Sequence, residues 1–203
     1  MSLRRFAAAM VVVSGLVASP AAGAAARVAA PAFTTPAAAQ TCANPDQPAS
    51  GATVSQLAAG IRCLLNQQRA GGRRSAVAAN ARLADAARGH AADMVARHYF
   101  AHTSLGGATF VDRIRRSGYL PPQGQWSAGE ILAWASGPLA TPRGIVDAWM
   151  ASPEHRRILM DPKYSDVGVG VAFGSPQPNA DAAITVDADF GRIAGRSGHQ
   201  RGT

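Results

Sequence analysis

The most informative stretch of the chain is Trp149-Met150-Ala151-Ser152-Pro153-Glu154-His155-Arg156. Ser152 is a residue type that caps helices, and Pro153 and Glu154 suit the first helical turn. The stretch therefore predicts a helix that begins after Ser152 and carries His155 in its first turn. The positive end of a helix disfavours imidazolium, so we expect His155 to be neutral and able to bind a metal ion or accept a proton. The alternative is a capped surface helix whose histidine has no function.

Outward from this stretch, apolar spacing and capping residues predict the remaining elements. Helical patterns cover 55–68, 80–97, 109–117, 141–151 and 153–160. Residues 126–134 could include a strand, and alternating runs at 167–173 and 184–190 predict two half-buried strands of a hairpin. Glycines in the first of these runs would let another backbone or a side chain approach closely. Helices first and adjacent strands last favour an α+β domain with an antiparallel sheet.

The first residues have the pattern of a secretory signal: two arginines, an apolar run and then small residues. We therefore expect a signal peptide at 1–26, an Ala/Pro-rich linker at 27–50, one domain at 51–191 and a flexible tail at 192–203. An uncleaved membrane anchor is the alternative for the first segment. No later segment is long and apolar enough to span a membrane, so we expect no transmembrane segment after signal removal and a secreted or envelope-associated protein.

Cysteine count and charge agree with export. Cys42 and Cys63 predict a disulfide in an exported chain, which would close a loop of about 20 residues and contribute about 3 kcal/mol; two free thiols are the alternative. The formal charge of +8 is almost wholly due to arginine. Such a charge suits anionic partners such as wall polymers or lipid headgroups, although an ordinary solvated basic surface also explains it. The scattered arginines and the expected export argue against nucleic acid.

Three residues are candidates for a site. His102 lies in a predicted loop, Glu130 lies among small and apolar residues, and His155 lies at the helix start. A carboxylate such as Glu130 is costly to bury unless it is paired. If the three meet, the carboxylate could bridge the histidines as a structural network, or it could orient water or a metal ion between them. The sequence contains no Gly-rich phosphate loop, His-Glu-x-x-His helix or Gly-x-Ser-x-Gly turn.

Several segments of the chain, taken in order, also resemble the motifs of a known family. They are Cys63-Leu64-Leu65-Asn66-Gln67-Gln68-Arg69, the helix from Ala86 to Met94 with Tyr99-Phe100-Ala101-His102 after it, Arg113 to Tyr119, Gly129-Glu130-Ile131-Leu132-Ala133, Trp149 to Leu159, and Tyr164 to Ala172. In this order they resemble the motifs of the CAP superfamily, which comprises cysteine-rich secretory proteins, venom allergens and plant pathogenesis-related proteins. The chain is most similar to the bacterial secreted SCP-like branch.

The resemblance implies a three-layer α-β-α sandwich with a central, mostly antiparallel sheet and a cleft that sometimes holds zinc or another divalent ion. His102 matches the first cleft histidine of the family, Glu130 its first glutamate and His155 its second histidine. The second glutamate of the family pattern has no match, because Ser152 stands at that position and Glu154 is only nearby. Ile131 replaces the usual asparagine after Glu130, so local hydrogen bonds should differ.

Two functions and a third, purely structural role follow from these residues. The first is a secreted binding protein that takes a lipid, a cell-wall-derived or a macromolecular ligand in a cleft lined by His102, Glu130 and His155. The second is a divalent-metal-assisted hydrolase in which the two histidines hold the ion and Glu130 polarises its water. The third assigns the same side chains only to stabilising the fold. The sequence leaves the ligand and the oligomeric state open.

Overall fold

The computed structural model describes residues 41–178, 180 and 182–195. The expected signal peptide, most of the expected linker and the end of the expected tail lie outside these residues. The helices are α1 (Val54–Gly71), α2 (Ala81–Ala96), α3 (Phe110–Arg116), α4 (Pro142–Ala151) and α5 (Pro153–Leu159). The strands are β1 (Ala78–Ala79), β2 (Trp126–Ser136), β3 (Asp166–Phe173) and β4 (Ala183–Ile193), and short 3-10 turns occupy Ala49–Gly51 and Gly137–Leu139.

The four strands form one sheet in the order β1-β3-β4-β2. β3 pairs with β4 and β4 with β2 in antiparallel register, whereas the short β1 runs parallel to β3. Helices α1, α4 and α5 pack on one face of the sheet, and α2 and α3 pack on the other. The predicted α+β fold with a mostly antiparallel central sheet between helical layers is confirmed.

Side-chain caps explain where most helices begin. Thr53 and Thr109 form capping boxes at the starts of α1 and α3, and the Asn80 side chain accepts from two backbone N–H groups at the start of α2. Thr141 caps α4, which has a proline in its first turn. These caps satisfy N–H groups that lack helical partners, so the chain enters each helix at a defined residue. The predicted helices are confirmed within a few residues at each end.

The layer of α1, α4 and α5 contains the larger apolar core. Its centre consists of fully buried side chains from α1, α4 and the sheet, including Leu57, Ile61, Trp149, Val186 and Phe190. The Trp149 indole N–H also donates to the backbone carbonyl of Leu132 at 3.1 Å. This bond fixes the end of α4, and thereby the start of α5, against the middle of β2.

Two buried polar residues of α1 tie this layer together. The Asn66 side chain exchanges two hydrogen bonds with the backbone of Val77, at 2.9 and 3.0 Å. The Arg69 guanidinium, fully buried, donates to the backbone carbonyls of Ser75, Leu159, Asp161 and Tyr164. The Asn-x-x-Arg spacing at the end of α1 therefore connects that helix to the chain before β1 and to the end of α5.

On the other face, α2 lies directly against β3 because two positions of that strand have no side chain. A Cβ atom on Gly168 would overlap the α2 backbone at Leu83 and Ala84, and one on Gly170 would overlap it at Ala87 and Arg88. The prediction that these glycines admit another backbone is confirmed. This contact excludes solvent from the adjacent part of the sheet.

The expectation of a half-buried strand is wrong for β4. Every residue from Ala183 to Gly191 is buried, including Thr185, Asp187 and Asp189. The reason is that β4 lies between β3 and β2 in the middle of the sheet, with helices on both faces. The polar half of the alternating pattern therefore faces α2 rather than water.

The packed part of the chain extends beyond residues 51 and 191 at both ends. Cys42 and Cys63 form the predicted disulfide, which is confirmed. Residues 45–49, expected within the linker, bond to the start of α4 through Arg143 with Pro45 and Asp46, and through Ala49 with the carbonyl of Ala140. At the other end, β4 continues through Arg192 and Ile193, which pair with the first residues of β2.

We predict that Gly170→Ala destabilises the fold by about 1–3 kcal/mol or more, because the new methyl group would meet the α2 backbone. Gly89→Ala is the matched control on α2. Gly89 has open space around it, so an alanine there should stabilise the helix by about 0.5–1 kcal/mol. Urea unfolding of both variants measures the two effects. Equal stability of Gly170→Ala and the wild type would contradict the direct helix–sheet contact.

Candidate functional site

Glu130 is the buried centre of a polar network on the α2 side of the sheet. It lies in the middle of β2 and is 3% exposed. One of its oxygens is 2.6 Å from Nδ1 of His102, and the other accepts a hydrogen bond from Nη2 of Arg113. Because an ionised carboxylate can only accept, the Nδ1 of His102 carries a proton and Nε2 is the ring nitrogen left for a ligand.

Arg113 holds the histidine loop in place. It projects from α3 and donates to the backbone carbonyls of His102 and Ala108, at 3.0 and 3.1 Å, and to the Ser104 hydroxyl at 3.2 Å. The same guanidinium pairs with Glu130. A single arginine therefore fixes both the carboxylate and the loop that carries the imidazole, and the His102 ring is positioned from both sides.

His155 lies in the first turn of α5, as predicted, and Ser152 is the residue before that helix. The Ser152 side chain makes no capping bond, so the helix start depends on Pro153 and packing. Burial lowers the pKa of His155, the nearby His102 ring lowers it further, and Glu154 opposes both effects. The pKa of His155 is thus lowered, as expected, but the main cause is burial rather than the positive end of the helix.

The structure brings together most of the predicted site residues. His102 contacts Glu130, and His155 is close enough to His102 for the charge of one ring to affect the other. Both imidazoles are partly exposed, with 14% of the His102 side chain accessible. We call the space beside these two rings the histidine hollow. Glu154 precedes His155 in α5 and acts on the pKa of that ring.

The Glu130 carboxylate is buried, whereas a group that polarises a water molecule must be open to that water. Both of its oxygens are bonded, to His102 and to Arg113, and its side chain is 1% exposed. The geometry therefore makes Glu130 a positioning residue that orients the His102 ring. Two imidazoles are also fewer protein ligands than catalytic zinc sites usually have.

A second group of titratable residues, which the sequence reasoning missed, lies behind Glu130. His90, Glu130 and Asp187 each offer a metal-ligating atom, and the three atoms lie within 4.8 Å of one another. Asp189 lies opposite Glu130 in the sheet. Among the described residues, no donor group bonds to the oxygens of Asp187 and Asp189, and Asp187 lies within hydrogen-bonding reach of Glu130. This is the one group of three potential metal ligands in the described part of the chain, and it includes neither His102 nor His155.

The electrostatics of this second group follow from its burial. Burial raises the pKa of Asp187 well above its usual range, and the charges of Asp189 and Glu130 raise it further. The pKa of Asp189 is raised for the same reasons, burial first and then Glu130. Burial also lowers the pKa of His90. A signal was present in the sequence: two aspartates alternate with apolar residues on a strand that has a neighbour on each side.

The comparisons with known proteins agree with this architecture. The model of the cysteine-rich secretory protein family, CAP, matches residues 64–186. This chain belongs to the CAP family. The matched range includes the Asn-x-x-Arg pair of α1 and the predicted cleft residues His102, Glu130 and His155. The range ends within β4, so Asp187 and Asp189 lie just beyond the matched residues of the CAP domain.

The proteins that this CAP domain resembles include a bacterial membrane protein and an extracellular SCP-domain protein. The domain is 36% identical over 90 residues to the uncharacterized membrane protein YlbC of Bacillus subtilis. The match covers 43% of this chain and 23% of that protein. An extracellular SCP-domain protein from Bacillus anthracis is similar with a TM-score of 0.53 and 25% identity, over 68% of this chain and 42% of that one. The chain thus spans less than half of the length of either protein.

One further solved structure shows the fold alone. An outer surface protein from Borrelia burgdorferi has a TM-score of 0.53 at 19% identity, over 66% of this chain and 90% of that one.

In the part of the chain that the structure describes, no helix is both long enough and apolar enough to cross a membrane.

We predict that Arg113→Ala destabilises the CAP domain by about 3–5 kcal/mol, because it leaves the buried Glu130 carboxylate without its cation. Arg115→Ala on the same helix is the control. The Arg115 side chain is 54% exposed and its pair with Asp112 is long, at 3.6 Å, so its loss should cost less than about 0.5 kcal/mol. Urea unfolding compares the two. Equal effects would contradict a buried Arg113–Glu130 pair.

We also predict that His102→Ala raises the pKa of His155, because it removes a ring whose electrostatic effect lowers that pKa and it admits water. Glu154→Gln should lower that pKa, since the carboxylate stabilises imidazolium. Titration of the His155 ring by NMR measures both. A pKa of His155 that does not change in His102→Ala would mean that the two rings do not share one hollow.

Proposed function

We propose that this CAP domain is secreted and binds a hydroxyl-rich envelope ligand, a cell-wall fragment or a lipid headgroup, in the histidine hollow. The observation that carries the proposal is the 2.6 Å contact between Nδ1 of His102 and Glu130. This contact orients the imidazole of a partly exposed residue and leaves Nε2 for a ligand.

The chemistry of the imidazoles and the charge of the chain support a hydroxyl-rich ligand from the envelope. A neutral imidazole nitrogen accepts hydrogen bonds, and the lowered pKa of His155 favours its neutral form. Sugar and headgroup hydroxyls are donors that suit such nitrogens. The formal charge of +8 would also attract the anionic polymers and lipids of an envelope.

Secretion is supported by the similarity to an extracellular and an outer surface protein and by the Cys42–Cys63 disulfide. Disulfides persist in oxidising compartments outside the cytoplasm. The signal-like pattern of the first residues agrees with this route.

We expect the purified full chain to bind soluble peptidoglycan fragments or phosphatidylglycerol vesicles at micromolar concentration, with a rise in unfolding temperature. His155→Ala should weaken binding about tenfold, as expected for the loss of about 1.4 kcal/mol from one or two hydrogen bonds. The control is His98→Asn, because His98 is exposed and has a positive φ that asparagine tolerates. The absence of any shift with either probe, or equal weakening in both variants, would contradict the proposal.

A metal-assisted hydrolase is the second candidate, and one observation favours it. Histidines that bind metals commonly donate their other ring nitrogen to a carboxylate, as His102 does to Glu130. His102 and His155 would hold the ion, which would supply an activated water molecule for hydrolysis. Metal analysis of His102→Ala and His155→Ala tests this candidate. Unchanged metal content in both variants would exclude it.

A further inference from the structure

A histidine and three carboxylates lie beneath α2 and form a second, closed group. We call His90, Glu130, Asp187 and Asp189 the buried carboxylate cluster; their exposed fractions are 1%, 3%, 0% and 0%. They come from α2, β2 and β4. Glu130 is the one member that the cluster shares with the histidine hollow.

The charges of the cluster do not balance within the protein. Arg113 compensates Glu130. Asp187 and Asp189 remain, and within the described residues no donor group bonds to any of their four oxygens, although Asp187 lies within hydrogen-bonding reach of the Glu130 carboxylate. An ionised carboxylate without a partner in a protein interior strongly destabilises the fold. Protons or a cation must therefore accompany these two side chains.

His90 adds a lone pair to the cluster rather than a donor. Its Nε2 lies 2.9 Å from the carbonyl oxygen of Ala101, which can only accept, so Nε2 carries the ring proton. Burial lowers the pKa of His90, which favours the neutral ring with a lone pair on Nδ1. The Tyr99 hydroxyl donates to Asp93 and lies 3.4 Å from Nδ1, and the Ser104 hydroxyl lies 3.5 Å from Nδ1, so both contacts of the lone pair are long.

A single cation would engage more of this cluster than a proton does. A proton on Asp187 would join it only to Glu130, whereas one cation would contact His90, Glu130 and Asp187 together. We propose that the buried carboxylate cluster binds one divalent transition-metal ion, Zn²⁺ or Mn²⁺, through His90, Glu130 and Asp187. The three ligand atoms already lie within 4.8 Å of one another, and Asp189 supplies further negative charge.

Glu130 can take part without giving up its bonds in the histidine hollow. Each oxygen of a carboxylate has two lone pairs, and the bonds from His102 and Arg113 use one on each oxygen. A lone pair therefore remains for an ion on the side of Asp187. The inference does not depend on ligand binding in the histidine hollow.

The donor set selects the class of ion. Imidazole together with carboxylate oxygens suits zinc and manganese, whereas calcium and magnesium favour all-oxygen sites. The burial of all four residues makes the ion a structural link between α2, β2 and β4 rather than a catalytic centre.

The test uses the purified full chain, freed of metal by a chelator and dialysed separately against ZnCl₂, MnCl₂ and CaCl₂. We expect about one equivalent of zinc or manganese by elemental analysis and none of calcium. At a hundredfold excess over the dissociation constant, the unfolding temperature should rise by about 5–10 °C. A wild-type protein that takes up neither zinc nor manganese would overturn the proposal.

Variants then locate the ion. Asp187→Asn and His90→Gln, with folding checked by circular dichroism, should each lose the bound equivalent and the thermal response. Asp85→Asn, which changes an exposed carboxylate on α2, is the control that should retain both, and His102→Ala tests the histidine hollow separately. Retention of the ion by Asp187→Asn and His90→Gln would overturn the proposal, and its loss only in His102→Ala would assign it to the histidine hollow instead.

Discussion

The burial of Glu130 is the constraint from which the site follows. A carboxylate with 3% exposure requires partners, and it has them in Arg113 and His102. Because Arg113 also holds the carbonyls of the histidine loop, one ion pair joins β2, α3 and that loop. The orientation of the partly exposed His102 imidazole is therefore a consequence of satisfying a buried charge.

The close contact of α2 with the sheet makes the interior polar group possible. Gly168 and Gly170 lie beside Asp189 and Asp187 in the register of β3 and β4, and the α2 backbone occupies the space that side chains would fill. Water is excluded from this region. The pKa values of Asp187 and Asp189 are therefore raised well above those of carboxyl groups on an exposed strand. The same contact places His90 against them.

Local chemistry predicted much of the fold but not the interior of the site. Asn80, Thr109 and Thr141 are short polar residues before apolar helical patterns, and each caps a helix in the structure. Alternation in β4, by contrast, indicates that two sets of side chains face opposite sides of a sheet, but not that both sides are covered. The burial of Asp187 and Asp189 depends on the strand order and on the position of α2, which are properties of the whole domain.

Arg69 has a consequence for how this domain could diversify. Helix α5 has seven residues, too few to be stable alone, and its end is held by the Arg69 guanidinium through the carbonyls of Leu159 and Asp161. The position of α5, and with it that of His155, therefore depends on a buried residue that lies outside the histidine hollow. Substitutions around Arg69 could change the orientation of the His155 ring while every residue at the histidine hollow stays the same.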